Sequence, residues 1–204
     1  MKPKVEKIKA HNENHALEVL IRSLMDDPTK VWYFPEITDR IPHATWIISR
    51  MSRVLAEYDH KYALVDGGKI VAVAMWIPPG KAISYLQMLR HGLMYLPFRV
   101  GLGTFLTIMS SLNKSEEVQK NIMEGRKHWQ LFYIGVDPNH QRKGYGSMLL
   151  EPIFEMADQK KDPIFLQNFT VENTNFYQKN GFVIKSLHDF GSNRLMRNML
   201  REPK

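Results

Sequence analysis

The sequence predicts a mixed α/β domain, and three observations carry that prediction. Hydrophobic periodicity switches from helical to strand-like and back along the chain, Gly67-Gly68 marks a hairpin turn, and a buried strand at 131–136 runs into a helix start bearing two glycines and two cations.

Taken in order, Leu17, Leu20, Ile21 and Leu24 recur at the spacing of one helical face, predicting a first helix over 14–25 that stops before Asp27-Pro28. A second follows Pro42, where Trp46, Ile47, Met51, Val54, Leu55 and Tyr58 repeat every three or four residues. Residues 62–66 and 69–77 then read as a hairpin, because the intervening glycines accept the positive φ of a two-residue turn. Pro78-Pro79-Gly80 ends it. Residues 81–113 are apolar at helical spacing with a break at Pro97, predicting two short inserted helices. A strand at 131–136, a helix at 144–159, a strand at 164–169, a short helix at 173–179 stopped by Asn180-Gly181, and a closing strand pair at 182–188 and 194–200 complete the order.

A chain of 204 residues with 44% hydrophobic content is one domain's worth of protein, here a single unit over 1–204 with a helical insertion at 81–127. Zero cysteines exclude disulfides, zinc-thiolate sites, iron-sulfur clusters and a cysteine nucleophile, and fit a reducing cytoplasm. No signal-peptide core opens the chain, and the longest charge-free apolar stretch, 14 residues at 100–113, is short of the ~20 a bilayer demands. The formal charge is +7, of which residues 61–130 supply nine cations against four acids. Residues 67–115 contain no acid at all, which suits either a polyanionic partner or a plain basic face.

The chemistry concentrates at Val136-Asp137-Pro138-Asn139-His140-Gln141-Arg142-Lys143-Gly144-Tyr145-Gly146-Ser147. A strand-to-helix junction with glycines binds phosphates, because the first helical amides lack partners and carry the positive end of the dipole. Neither the dinucleotide fingerprint nor the P-loop fits: Leu149 stands where the third glycine belongs, and no Gly-Lys-Ser/Thr string occurs.

Gln141-x-x-Gly144-x-Gly146, preceded by Tyr133-Ile134-Gly135-Val136 and followed by Ser147-x-Leu149-Leu150, resembles the coenzyme A pyrophosphate loop of the GNAT superfamily of N-acyltransferases. Asn173-Thr174-Asn175-Phe176-Tyr177-Gln178-Lys179-Asn180-Gly181-Phe182 resembles that family's later helix and its Tyr-x-x-x-Gly-Phe ending. The strings at His128-Trp129, 76–80 and 149–152 are similar to the branch that contains puromycin N-acetyltransferase. The resemblance implies a mostly antiparallel central sheet flanked by helices, the insertion preceding the cofactor strand. It also implies acetyl transfer from acetyl-CoA to a primary amine by direct attack.

By the same resemblance, backbone amides of Arg142, Lys143, Gly144, Tyr145, Gly146 and Ser147 would hold the pyrophosphate, with Gln141 leading the loop. Ile134, Gly135 and Val136 would pair edge-on with the pantetheine arm, at a place where family strands splay apart, and Asn173 would bond that arm as well as cap its helix. Tyr177 would be the general acid that protonates the departing thiolate. Trp76, His128 and Trp129 are candidates for the acceptor cleft, with the insertion as its wall. The methionines at 75, 88, 94, 109 and 123 read as gap fillers or cleft lining. Many relatives carry a Glu where Gln167 stands, so the base is open among Glu172, Asp137, His128 and an amine that arrives deprotonated.

No metal is expected. The expected partner is a small-molecule amine, without nucleic acid or stable membrane insertion, and a homodimer is compatible with the sequence. The competing class is an acyl-CoA sensor of the same fold without catalysis, which the Gln at 167 keeps open.

Overall fold

The computed structural model describes residues 2–191 and 194–204. Seven strands form one sheet in the order β1-β2-β3-β4-β5-β7-β6: β1 Lys4–Lys7, β2 Lys61–Asp66, β3 Lys69–Ile77, β4 Trp129–Val136, β5 Ile164–Asn168, β6 Val183–Asp189 and β7 Leu195–Arg201. All neighbours are antiparallel except β4 and β5, so the fold is the mixed, mostly antiparallel α/β architecture that the sequence predicts. The helices are α1 Glu13–Leu24, α2 Pro28–Tyr33, α3 Ile37–Ala56, α4 Tyr85–Arg90, α5 Leu96–Val100, α6 Leu102–Met123, α7 Tyr145–Lys160 and α8 Val171–Lys179. None is long and apolar enough to cross a membrane.

Strand period divides the core. Tyr62, Leu64, Ala72, Ala74, Trp76 and Leu131 pack beneath Leu149, Leu150 and Ile153 of α7. Ala63, Val73, Met75 and Ile77 pack on the other face beneath Val19 and Leu20 of α1 and Ile48 of α3. With both faces covered, β3 is buried from Ile70 to Ile77. The β2–β3 turn takes φ of 57° at Gly67 and 79° at Gly68, the pair of positive values expected of a two-residue hairpin.

Several boundaries differ from the sequence reading. The alternation at the N-terminus is strand β1, paired with β2 from Lys4↔Val65 to Lys7↔Tyr62. α2 was not expected; Asp27 caps it and Pro28 occupies its first turn. α3 starts five residues before Pro42, which lies inside it and forgoes one backbone bond near the helix start. In the insertion the breaks fall at Gly92 and Gly101, both at positive φ, rather than at Pro97, which sits in the first turn of α5 where a missing N–H is tolerated. α6 continues to Met123, where Met123 packs with Phe165 of β5 and Leu200 of β7. Tyr85, Leu86, Tyr95, Phe98, Leu102 and Leu106 are exposed on the insertion rather than buried, Phe98 at 88%.

Candidate active site

β4 and β5 pair at only two positions, Trp129↔Ile164 and Gln130↔Phe165, and then diverge. The parting begins at Leu131, four residues before Gly135, and a cleft of about 1390 Å³ opens over it. Phe132 to Val136 and Gln167 to Phe169 border its floor, α1 and α2 one wall, and α6 the other. Gly135 serves the wall: a Cβ there would stand 1.8 Å from Ser23 Oγ, so α1 can approach β4 this closely only over glycine.

The loop after β4 is fixed from both sides. Asp137 donates its backbone N–H to Val71 O at 2.8 Å, and its buried carboxylate accepts from Asn139 N at 3.0 Å and from Arg22 Nη2 at 2.8 Å. The Arg22 hydrogen bond holds the Asp137 carboxyl below its usual range. Asp137 is therefore a structural anchor for the loop, its carboxylate already engaged. Arg142 at φ 63° and Gly144 at φ 80° turn the chain into α7. Open space surrounds Gly144 where a Cβ would project; Ser147 N donates to Gly144 O at 3.1 Å, while the amides of Tyr145 and Gly146 ahead of it have no backbone acceptor among the described residues, the arrangement that accepts a phosphate.

Gln141, Arg142, Gly144, Tyr145, Gly146 and Ser147 all border the cleft together with Ile134, Gly135 and Val136. Three side chains there differ from expectation. Lys143 is exposed outside the lining, its ammonium 6.0 Å from the Tyr145 ring centre, so Arg142 is the loop's cation in the cleft. The Tyr145 ring is buried in the core and its hydroxyl donates to Asp66, leaving the backbone as its contribution to the loop. At Gly146 a Cβ would meet the Phe176 ring at 3.0 Å, so this glycine is required by α7–α8 packing.

On α8, Thr170 rather than Asn173 is the cap: its hydroxyl accepts from Asn173 N at 3.1 Å, and Asn173 stands exposed at the cleft edge. Tyr177 is 6% exposed, its ring against Phe176 and Phe182, and it borders the cleft. Burial pushes its phenol above the usual tyrosine range, and the charge of Asp27 adds to the shift. Tyr177 is thus a protonated donor at neutral pH. Tyr133 of β4 is raised for the same two reasons.

Of the acceptor candidates, only His128 reaches the cleft. Trp76 and Trp129 are 0% and 2% exposed in the core under α7, on the opposite side of the sheet, because strand alternation turns them away. His128 has both ring nitrogens engaged: Nδ1 donates to Arg126 O at 2.8 Å, which leaves Nε2 to accept from Gln119 at 2.7 Å. Gln167 donates to Ser115 O at 3.1 Å and Asn198 Oδ1 at 2.8 Å, tying α6 to β5 and β7. Of the base candidates, Glu172 lies exposed at the cleft beside Asn173.

The sequence reading does not single out Asp27, Tyr33 and Tyr133, which line the cleft. Asp27-Pro28-Thr29 was visible as a cap followed by a first-turn proline, but was read only as the end of α1. Among the described residues no three His, Asp or Glu side chains gather as a metal site; His11 and His15, four apart, gain no third ligand.

Residues 112–184 match the acetyltransferase (GNAT) domain family. An uncharacterised N-acetyltransferase of Schizosaccharomyces pombe is 25% identical, over 98% of this chain and 83% of that protein. Arylalkylamine N-acetyltransferase 2 of Aedes aegypti has a similar structure, with a TM-score of 0.70 at 14% identity over all of both chains. A PaiA N-acetyltransferase of Thermoplasma acidophilum, solved in complex with coenzyme A, aligns with a TM-score of 0.58 at 13% identity over 99% of both chains. The matched segment, residues 112–184, contains the parted strands, the loop into α7 and the Tyr177 frame, and it is this segment that is similar to the acetyltransferase (GNAT) domain family.

Proposed function

We infer that this acetyltransferase moves an acetyl group from acetyl-CoA to the primary amine of a small molecule with an apolar body. The observation that carries the reading is the buried, protonated Tyr177 beside a cleft that joins the β4 edge to the start of α7. Backbone amides from Gly144 to Gly146, with the Arg142 cation, would take the pyrophosphate. The β4 edge left without a partner beyond Gln130 would pair with the pantetheine amides, and an amide there would polarise the thioester carbonyl.

The amine nitrogen then attacks the carbonyl carbon, the C–N bond forms, the C–S bond breaks, and Tyr177 gives its proton to sulfur. Solvent takes up the proton lost by the nitrogen and restores that of the phenol. The neighbour solved with coenzyme A supports the donor, and the neighbour named for arylalkylamines supports the acceptor class.

Steady-state release of free thiol from acetyl-CoA, measured across a panel of primary amines, tests this. Amine-dependent release supports transfer, whereas tight acetyl-CoA binding without release for any amine would leave the non-catalytic sensor as the reading.

A further inference from the structure

Resting on the reading of the cleft as an amine acetyltransferase site, we propose that Asp27 receives the ammonium group of the acceptor, so that the preferred acceptor is a singly charged amine with an aromatic or aliphatic body. Four carboxylates border the cleft: Asp26, Asp27, Glu116 and Glu172. Asp26 has a 90% exposed side chain and pairs with Arg40 at 3.4 Å. Glu116 pairs with Lys120 at 2.7 Å along α6, and Glu172 stands exposed in the first turn of α8. Asp27 differs from all three in its surroundings.

Its side chain is only 26% exposed, and its charge reaches three tyrosines of the cleft, Tyr33, Tyr133 and Tyr177, strengthening the hold of each phenol on its proton. Local structure fixes the carboxylate. Oδ1 accepts from Thr29 N at 3.0 Å and from Thr29 Oγ1, and Lys30 Nζ stands 3.6 Å from the same oxygen. Oδ2 has no hydrogen-bond partner among the described residues. A carboxylate with one oxygen anchored and the other open among aromatic side chains suits a primary ammonium, through a charge-assisted hydrogen bond and ring-face attraction.

The neighbouring lining is apolar, with Phe34, Ile47, Met51, Ile77, Leu96 and Ile108, and Lys30 already shares Asp27. A second ammonium on the acceptor would therefore have to compete with Arg40 for Asp26 or with Lys30 for Asp27, which disfavours a dication here.

Calorimetric titration at pH 7 of the coenzyme A-saturated protein tests the assignment, with 2-phenylethylamine against its neutral counterpart 2-phenylethanol. The expected result is an amine preference of about 10-fold or more. That preference should vanish in Asp27→Asn and in Asp27→Ser, both of which keep a helix-capping side chain. Coenzyme A affinity is the folding control for each variant. Absence of the preference in the parent, its survival in both variants, or spermidine binding more tightly than 2-phenylethylamine overturns the assignment. If coenzyme A itself does not bind, the acetyltransferase reading fails, and the same amine titration of the unliganded protein still decides the role of Asp27.

Discussion

Replacing Gly135 with Ala tests how closely α1 lies on β4. The added Cβ would stand 1.8 Å from Ser23 Oγ, 2.7 Å from Ser23 Cβ and 3.6 Å from Leu20 Cδ1. The first contact can be relieved by rotating the hydroxyl away from Leu20 O, to which it donates at 2.8 Å. The second cannot, because no rotamer moves a Cβ. Carbon atoms prefer separations of about 3.5 to 4 Å, so α1 must retreat by roughly 1 Å.

Ala16, Val19 and Leu20 of α1 are packed at 1% exposure or less, and such overpacking costs about 1 to 3 kcal/mol. For a chain of this size each kcal/mol lowers the melting temperature by about 2 to 4 °C, so a fall of roughly 2 to 12 °C is expected. Ser23→Gly removes both clashing atoms at a cost near 1 kcal/mol as a helical glycine. The double variant should then melt above Gly135→Ala alone, with a coupling of about 1 kcal/mol or more. Thermal unfolding by circular dichroism reads all four proteins. If Gly135→Ala melts within a degree of the parent, or if Ser23→Gly rescues nothing, the close packing of α1 on β4 is refuted.

Tyr177→Phe should lower turnover by roughly 10² to 10⁴-fold with little change in coenzyme A affinity, and unchanged single-turnover rates would remove it from the mechanism. Gly146→Ala should lose about 1 kcal/mol against the Phe176 ring and recover it when Phe176→Leu is added; equal loss in both backgrounds in urea unfolding would show that the ring is not what excludes a Cβ. Asp158 accepts from Arg201 Nη1 at 2.8 Å and Nη2 at 2.7 Å, and this pairing pulls its pKa from an ordinary value to about 2. A carboxyl depressed on folding stabilises above its unfolded pKa near 4 and loses that contribution as pH falls toward 2, a difference of about 1 kcal/mol after solvent screening. Asp158→Asn should accordingly flatten the acid limb of stability between pH 4 and 2, and an unaltered limb would count against the pairing.

Much of the fold was legible because local signals and tertiary packing agree. The Gly67-Gly68 turn, the apolar run of β3 and the strand-loop-helix from β4 to α7 each carry their cause in adjacent residues. The insertion was read less well, since Pro97 looked like a break and is a helix start, while its exposed apolar side chains gave the same periodicity as buried ones. The loop and Tyr177 are singled out by short motifs, and both border the cleft. The packing need for glycine at 146 and 135 was not legible, because the neighbours are Phe176 and Ser23, contacts that join residues 30 and 112 positions away and leave no local trace. Trp76 and Trp129 were misplaced for a related reason: strand membership was evident, but which face they took depended on the position of α7. Asp27 escaped because a cap and a cleft carboxylate look identical in one dimension.

The brief pairing of β4 with β5 has a mechanical meaning. β1 to β4 form one ladder and β5 to β7 another, and backbone bonds stitch the two at Trp129↔Ile164 and Gln130↔Phe165 alone. Side chains bridge them elsewhere, through α7 packed across the boundary and through Gln167 fastened to Ser115. The seam is a sheet edge turned inward, so the unpaired groups of residues 131–136 meet the cleft rather than another molecule's strand. A fold ordinarily guards its edges against aggregation with charge, proline or a bulge; here enclosure does that work and keeps the edge free for a guest. Under the proposed function the guest is the pantetheine arm, which would act as a removable strand and make the donor substrate a splint between the two plates of the sheet.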